Sequence, residues 1–331
     1  KVWNCQTDSW VSQKIYPSGK YIDEFETNED GILTLPDKIE AGEYIVYETK
    51  APTGYYLDDE CRIPTNESDV GVKGKGGKYI KIDKAAMGIE ESATPDGQNL
   101  YYKVQIPNTP LKAKLEVIKK GEKLTDVTTS LTEYGEKYTP VYKYEGLEGV
   151  TYNIIAAEDI KSPDGQEVYV QKGTIVDTIT TGQDGIATTK DLYLGEYEIV
   201  ETVTPLGYVT DTDIENVVLE NENTLVKVET LNKELTNIRQ KLNVTFEKEY
   251  KDVEYTNGEN QEIWSIFGIY ANQNIKNSEG TVVIAKDSLM DIIKIENDEI
   301  SVTSTIDLPE GKYYVKELDT SFPYTISEEI K

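Results

Sequence analysis

The sequence predicts an all-β chain built as a tandem of immunoglobulin-like β-sandwich modules. Three observations lead there. Short runs alternate apolar and polar residues, as half-buried strands do. Turn signals separate those runs. One segment recurs at domain-length intervals: GEYIVYETKAPTGYYLD (42–58), GEYEIVETVTPLGYVTD (195–211) and GKYYVKELDTSFPYTIS (311–327). Each copy begins with Gly, runs through Tyr to a Glu, and ends near a Pro and a Tyr. Intervals that long mean whole domains in tandem and not solenoid repeats.

In chain order, KVWN opens in an alternating pattern, and a hairpin is expected around the Asn28-Glu29-Asp30-Gly31 turn. The first copy follows. IPNTPLKAKLEVIKK places a junction near residue 110. VTYNIIAAE reads as a strand, and Gln183-Asp184-Gly185 as a second hairpin turn before the second copy. LTNIRQKLNVTFEKE places another junction near residue 240, and SIFGIYAN is the next strand. The segment DSLMDIIKI (287–295) is the one short helical candidate, and reads equally as a buried strand or loop. The expected modules are therefore 1–110, 111–240 and 241–331. Both junctions are short and without Gly/Ser runs, which predicts an elongated, monomeric chain. Segments 62–98 and 121–147 read as inserted loops.

Composition narrows the function. The chain has 331 residues, 34 Lys+Arg against 61 Asp+Glu, and a formal net charge of −27. That field repels nucleic acid and anionic lipid, so neither is an expected partner. The absence of His removes the usual general base and commonest metal ligand, and two Cys are too few for a thiolate site. No cofactor is expected. The 24 Tyr against 4 Phe suit half-buried strands whose rings pack inside while the hydroxyls reach water or a partner. No run is long and apolar enough for a transmembrane helix.

The informative feature is polar residues that continue an apolar row. Side chains at i, i+2 and i+4 of a strand share a face. Leu115, Val117 and Lys119 form one such row; Tyr197, Ile199 and Glu201 form another, and Leu235 and Asn237 a third. The first module repeats the pattern with Tyr44, Val46 and Glu48, and with Val104, Ile106 and Asn108. The third repeats it with Leu242, Val244, Phe246 and Lys248, and with Tyr313, Val315 and Glu317. Taken singly, each is an ordinary strand-end polar residue facing water. Their repetition favours burial, and buried charges must be found together. Burial favours the neutral amine of a lysine and the protonated acid of a glutamate. An amine is a nucleophile, an Asn carboxamide an electrophile, and an acid beside them shuttles a proton. Such a constellation closes a Lys–Asn amide with loss of ammonia.

The segments YETKAPTGYYLD and VETVTPLGYVTD resemble the E-box of collagen-binding-protein B-type (CnaB-like, prealbumin-like) domains of Gram-positive pilins and adhesins. LEGVTYNIIAAEDIKSPDGQ and IWSIFGIYANQNI are similar to that family's second strand and following loop, and LTNIRQKLNV to its module junction. The resemblance implies seven-stranded sandwiches carrying an autocatalytic intramolecular isopeptide bond. Carried across, Lys119 is the amine, Asn237 the carboxamide and Glu201 the catalytic acid. Glu48 and Asn108 match in the first module, whose Lys-bearing first strand the resemblance would place before Lys1. Lys248 and Glu317 match in the third, whose last strand it would place beyond Lys331 and whose E-box departs from the pattern as LDTSFPY. Only the middle module is therefore expected to be complete. Asn232 rivals Asn237; the alternation with Leu235 and the junction favour Asn237.

Cys5 and Cys61 flank the first E-box and are candidates for a disulfide, with two free thiols the alternative. A Cys5–Gln6 thioester is disfavoured because adjacent residues cannot easily form that link. Asp58-Asp59-Glu60 and Glu220-Asn221-Glu222 lack EF-hand spacing and read as solvated turns. The Gly-rich VGVKGKGGK reads as a flexible loop, since no phosphate-binding helix start follows. Tyr16-Pro17-Ser18 departs from the YPK-like motif of backbone pilins, and LPDKI (35–39) lies inside a module, so it is no sorting signal. The expectation is a rigid structural stalk of a Gram-positive cell-surface or pilus protein, outside the cell and anchored to the wall. Its expected partners are neighbouring modules. The alternative is an adhesin that binds host matrix protein or glycan through loops 62–98 or 121–147. An enzyme, such as a two-carboxylate glycoside hydrolase, is disfavoured because the repeated Glu stands once per module.

Overall fold

The computed structural model describes residues 2–4, 9–11, 19–33, 42–82, 105–248, 263–296, 301–322 and 324–326. The described chain is almost entirely strands, turns and loops. Its only helical segment among those residues is a single 3₁₀ turn at Glu67–Asp69. No helix is long and apolar enough to cross a membrane.

The N-terminal region contains β1 (Val2–Asn4), β2 (Ser9–Val11), β3 (Gly42–Val46), β4 (Tyr55–Tyr56), β5 (Lys78–Ile82) and β6 (Thr109–Pro110). These strands pair antiparallel as β1 with β2, β3 with β5 and β4 with β6. A turn closes at Asn28–Gly31, with Gly31 N donating to Asn28 O at 2.9 Å, but no strand flanks it among the described residues, so the expected hairpin is not formed there. Gly31 takes a positive φ of 70°, open to glycine without strain.

The middle region runs through β7 (Lys112–Thr132), β8 (Gly135–Gly146), β9 (Thr151–Ala156), β10 (Ile160–Lys161), β11 (Val168–Val170) and β12 (Ile175–Thr180). It continues with β13 (Ile186–Thr188), β14 (Leu192–Tyr193), β15 (Gly195–Val203), β16 (Glu215–Leu219) and β17 (Val228–Asn237). One sheet has the order β12-β9-β15-β16. In the other, β13 and β14 lie antiparallel to β7, and β17 lies parallel to it from Val228 to Asn237. The inner faces meet in one core that includes Leu115, Val117, Tyr152, Ile154, Tyr197, Ile199 and Leu219. The sequence predicts a hairpin at Gln183-Asp184-Gly185. The turn forms, with Gly185 N donating to Gly182 O at 2.9 Å, but its flanking strands β12 and β13 belong to opposite sheets. A local turn signal cannot tell a hairpin from a crossing between sheets, because the turn's own hydrogen bonds are the same.

The C-terminal region contains β18 (Thr245–Glu247), β19 (Trp264–Ala271), β20 (Ile275–Lys276), β21 (Val282–Ile284), β22 (Leu289–Glu296), β23 (Ser301–Thr303) and β24 (Tyr313–Thr320). Strand β19 is central, paired antiparallel with β22 and β24. The helical candidate 287–295 is therefore strand β22, whose neighbours on β19 decide what periodicity alone left open.

The segment 121–147, expected to be a loop, is the largest departure from the sequence reading. Strand β7 runs on past the middle core and turns back as β8, pairing from Lys120↔Gly146 to Thr132↔Gly135. Its polar composition concealed a strand pair because much of its surface is exposed.

Candidate functional site

The first half of β7 alternates strictly, burying Ala113, Leu115, Val117, Lys119 and Gly121 and turning Lys112, Lys114 and Lys120 outward. Lys119 thus enters the core because the strand's period leaves it no other face. Strand β15 buries Tyr197, Ile199 and Glu201 in the same manner, and β17 buries Leu235 and Asn237. In the parallel β7–β17 ladder Lys119 stands opposite Leu235, and Gly121 opposite Asn237. Lys119 and Asn237 are therefore diagonal neighbours on one face, with Glu201 above them on the opposing sheet. Asn232, the rival, lies on the exposed part of β17 opposite Glu116.

Lys119 is 0% exposed and Asn237 2%. Lys119 Nζ lies 3.0 Å from Glu201 Oε2. The approach is off hydrogen-bond direction, so Nζ is close to its counter-charge without a directed hydrogen bond among the described residues. Asn237 Nδ2 donates to Glu201 Oε1 at 2.8 Å. Asn237 Oδ1 is buried and has no hydrogen-bond partner among the described residues. A half-turn of the amide would exchange Oδ1 and Nδ2, placing the carbonyl oxygen against the glutamate.

Three further residues escaped the sequence reading. Thr204 Oγ1 donates to Glu201 Oε1 at 2.7 Å, and Tyr152 OH lies 3.4 Å from Glu201 Oε2. The Tyr152 ring also faces Lys119 Nζ at 5.5 Å. Burial, with the Glu201 carboxylate as second cause, raises the Tyr152 phenol well above its ordinary range, so it remains a donor. Gly121 is the third. A Cβ there would lie 2.7 Å from Tyr208 Cε1 and 2.9 Å from Leu147 Cδ2, so any side chain opposite Asn237 would have to push those two aside. The sequence carries only a local hint of them: Tyr152 alternates with Ile154 along one face of β9, and Thr204 stands three residues past Glu201.

The flanking regions hold partial versions. Asn108 Nδ2 donates to Glu48 Oε1 at 2.7 Å, and Glu48 Oε2 is buried without a partner among the described residues. Both residues are only half-buried, and Val46 is exposed. Val104 lies outside the described residues. In the C-terminal region Lys248 Nζ donates to Glu317 Oε1 at 2.8 Å, with Glu317 buried and Lys248 partly so. The apolar row leading to Lys248 starts at Val244 and not at Leu242. Leu242 is exposed because it still belongs to the junction, before β18 begins.

Cys61 is partly buried and has no disulfide partner among the described residues; Cys5 lies outside them. The 70–78 glycine cluster is a series of turns, with Gly71, Gly74, Gly76 and Gly77 at positive φ. No group of His, Cys, Asp or Glu suited to a metal occurs among the described residues. The tripeptide Tyr16-Pro17-Ser18 and segment 35–39 lie outside them.

Comparison with known proteins bears on the fold. No curated protein matches the chain. Among solved structures it is similar to the Bacillus anthracis TIE protein, at 23% identity over 67% of this chain and 31% of that one, with a TM-score of 0.38. It thus spans about a third of that relative's length. It is similar also to the shaft pilin SpaA of Lactobacillus rhamnosus GG, at 16% identity over 66% of this chain and 91% of that one, TM-score 0.25. The group B streptococcus pilus 2b backbone protein is a third, at 21% identity over 43% and 47% of the two chains, TM-score 0.24. These likenesses are too distant to carry function. The family described as SpaA, prealbumin-like fold domain, matches residues 11–78 and 113–234. Those two stretches take in more than half of the sequence, and the chain belongs to the SpaA prealbumin-like fold domain family.

Proposed function

We propose that this chain is a structural stalk of a Gram-positive cell-surface or pilus protein, stiffened by an autocatalytic amide bond between Lys119 and Asn237. The observation that carries the reading is the convergence of a buried amine, a buried carboxylate and a buried carboxamide in one core. A buried ion pair is a poor source of stability, since desolvation offsets most of the attraction. A buried pair with a reaction to perform has another reason to exist.

Transfer of one proton across the 3.0 Å contact turns the Lys119–Glu201 ion pair into an amine and an acid. The amine attacks Asn237 Cγ while the acid hydrogen-bonds Oδ1 after the amide turns. The tetrahedral carbon then expels its nitrogen. Glu201 relays one proton from the attacking nitrogen to the departing one, which leaves as ammonia. One C–N bond forms, one breaks, and Glu201 ends as the acid, still holding the proton it first took from Lys119.

The bond would tie the first strand of the middle sandwich to its last, so that a pull along the chain loads covalent bonds instead of a hydrogen-bond ladder. The partial sites at Glu48–Asn108 and Lys248–Glu317 fit the same chemistry in modules bounded near residues 110 and 240. Partners are then neighbouring modules of the same surface protein. In the adhesin reading, the 121–147 hairpin would offer only its tip and outer face, because Leu124, Val127, Tyr138 and Tyr142 pack within the chain. Digestion after denaturation and reduction tests the proposal. A branched peptide joining the Lys119 and Asn237 segments is expected, and recovery of both as separate linear peptides would overturn it.

A further inference from the structure

Strand β7 belongs to the middle core only as far as Gly121; its second half leaves that core as one limb of the β7–β8 hairpin. The hairpin has an apolar face of its own. A bulge between Leu124 and Asp126 inserts one residue, so Leu124 and Val127 share a face where strict alternation would oppose them. Their cross-strand partners are Tyr142 and Pro140, and Tyr138 lies on the same face.

That face does not meet solvent. Leu124 is a buried member of the C-terminal core with Ile269, Ile284, Met290 and Leu308, and Val127, Tyr138 and Tyr142 pack against it. Polar ties surround the contact. Ser278 N donates to Leu124 O at 2.9 Å, and Asn277 Nδ2 to Thr125 O at 3.1 Å. Tyr142 OH donates to Asp307 O at 3.0 Å. Lys137 Nζ reaches the buried Asp291 carboxylate at 3.0 Å, while Ser304 Oγ donates to its other oxygen at 2.8 Å. Lys137 also bridges Leu289 at the edge of β22.

We infer that the β7–β8 hairpin is a structural part of the C-terminal sandwich lent by the middle one, so that the C-terminal core closes only when residues 124–142 are docked on it. The hairpin covers the edge of β22 and brings the cation that Asp291 faces. Without it an apolar face, a strand edge and a buried carboxylate would meet water or stand unpaired. The inference does not depend on the Lys119–Asn237 bond.

Hydrogen exchange on the full chain tests it. In the double variant Leu124→Ser/Tyr142→Ala, amides of 264–271 and 289–296 should exchange at least about ten-fold faster, while those of 152–156 and 197–201 keep their protection. Leu131→Asn, at the exposed tip of the hairpin, should change neither. A milder pair of variants guards against general misfolding. Lys137→Ala should speed exchange in 289–296, and adding Asp291→Asn should restore most of the loss. Unchanged exchange in 264–271 and 289–296 for both Leu124→Ser/Tyr142→Ala and Lys137→Ala would overturn the inference.

Discussion

Lys119 Nζ sits 3.0 Å from Glu201 Oε2, and the two side chains are 0% and 2% exposed. The charges come from facing sheets, each delivered by strict alternation along a strand that elsewhere buries only apolar groups. Removing one member leaves the other buried and uncompensated. Glu201→Ala should therefore destabilise the middle sandwich by about 3–5 kcal/mol, beyond any effect of a missing cross-link. Chemical denaturation of Glu201→Ala and of Lys119→Met/Glu201→Ala separates the two effects. The double variant, with no stranded charge, should recover part of the loss.

Gly185 holds the sheet-crossing turn against the strand that carries Lys119. Lys119 N donates to Gly185 O at 2.7 Å. A Cβ on Gly185 would collide with the Lys119 carbonyl oxygen and lie 2.7 Å from Gly146 Cα, at a φ of +79° that side chains resist. Gly185→Ala should cost at least about 2 kcal/mol, because backbone must move and the left-handed conformation adds its own penalty. A melting curve checks this. Gly165→Ala, also at positive φ but with open space around it, should cost clearly less.

Alkaline pH should weaken the fold through buried tyrosines. Burial, with Glu158 as second cause, pushes Tyr197 up to about 12 from 10.0. An unfolded chain releases this proton above pH 10 while the folded chain keeps it, so the unfolded state binds fewer protons there. Stability is then full below pH 10 and falls as pH rises through about 12, by on the order of 2 kcal/mol for this group. Urea midpoints from pH 8 to 12 should show the decline, and Tyr197→Phe should flatten it.

Arg239 joins three segments at the second junction. Its guanidinium lies 4.1 Å from the Tyr142 ring centroid, pairs with Asp307 and donates to Leu308 O at 3.4 Å. Arg239→Ala should lower the stability of the C-terminal region by about 1–3 kcal/mol. Arg239→Lys should recover only part, since an ammonium keeps the charge but loses the flat stack. Thermal melts of the three proteins decide the order.

Much of the middle site was legible in the sequence, because alternation is a local property. Leu115-Val117-Lys119, Tyr197-Ile199-Glu201 and Leu235-Asn237 each reveal their inward face without reference to a partner strand. Tyr152 and Thr204 were not legible as Glu201's partners, since Tyr152 meets it through the β9–β15 register, which alternation does not set, and Thr204 through the path of the chain past β15. The hairpin was missed for a related reason. Its apolar face depends on a bulge at Leu124/Asp126 that breaks the period-two pattern, and the core it fills lies more than a hundred residues further along the chain. Leu242 misled because alternation persists through a junction where nothing yet covers it.

The intact mass of the denatured, reduced chain tests the central claim most directly. If Lys119 and Asn237 are joined and no other such bond forms, the chain should weigh one ammonia less than its sequence, and Glu201→Ala should return it to the full mass of its own sequence. A full sequence mass in the unsubstituted protein, with the middle sandwich folded, would contradict the account.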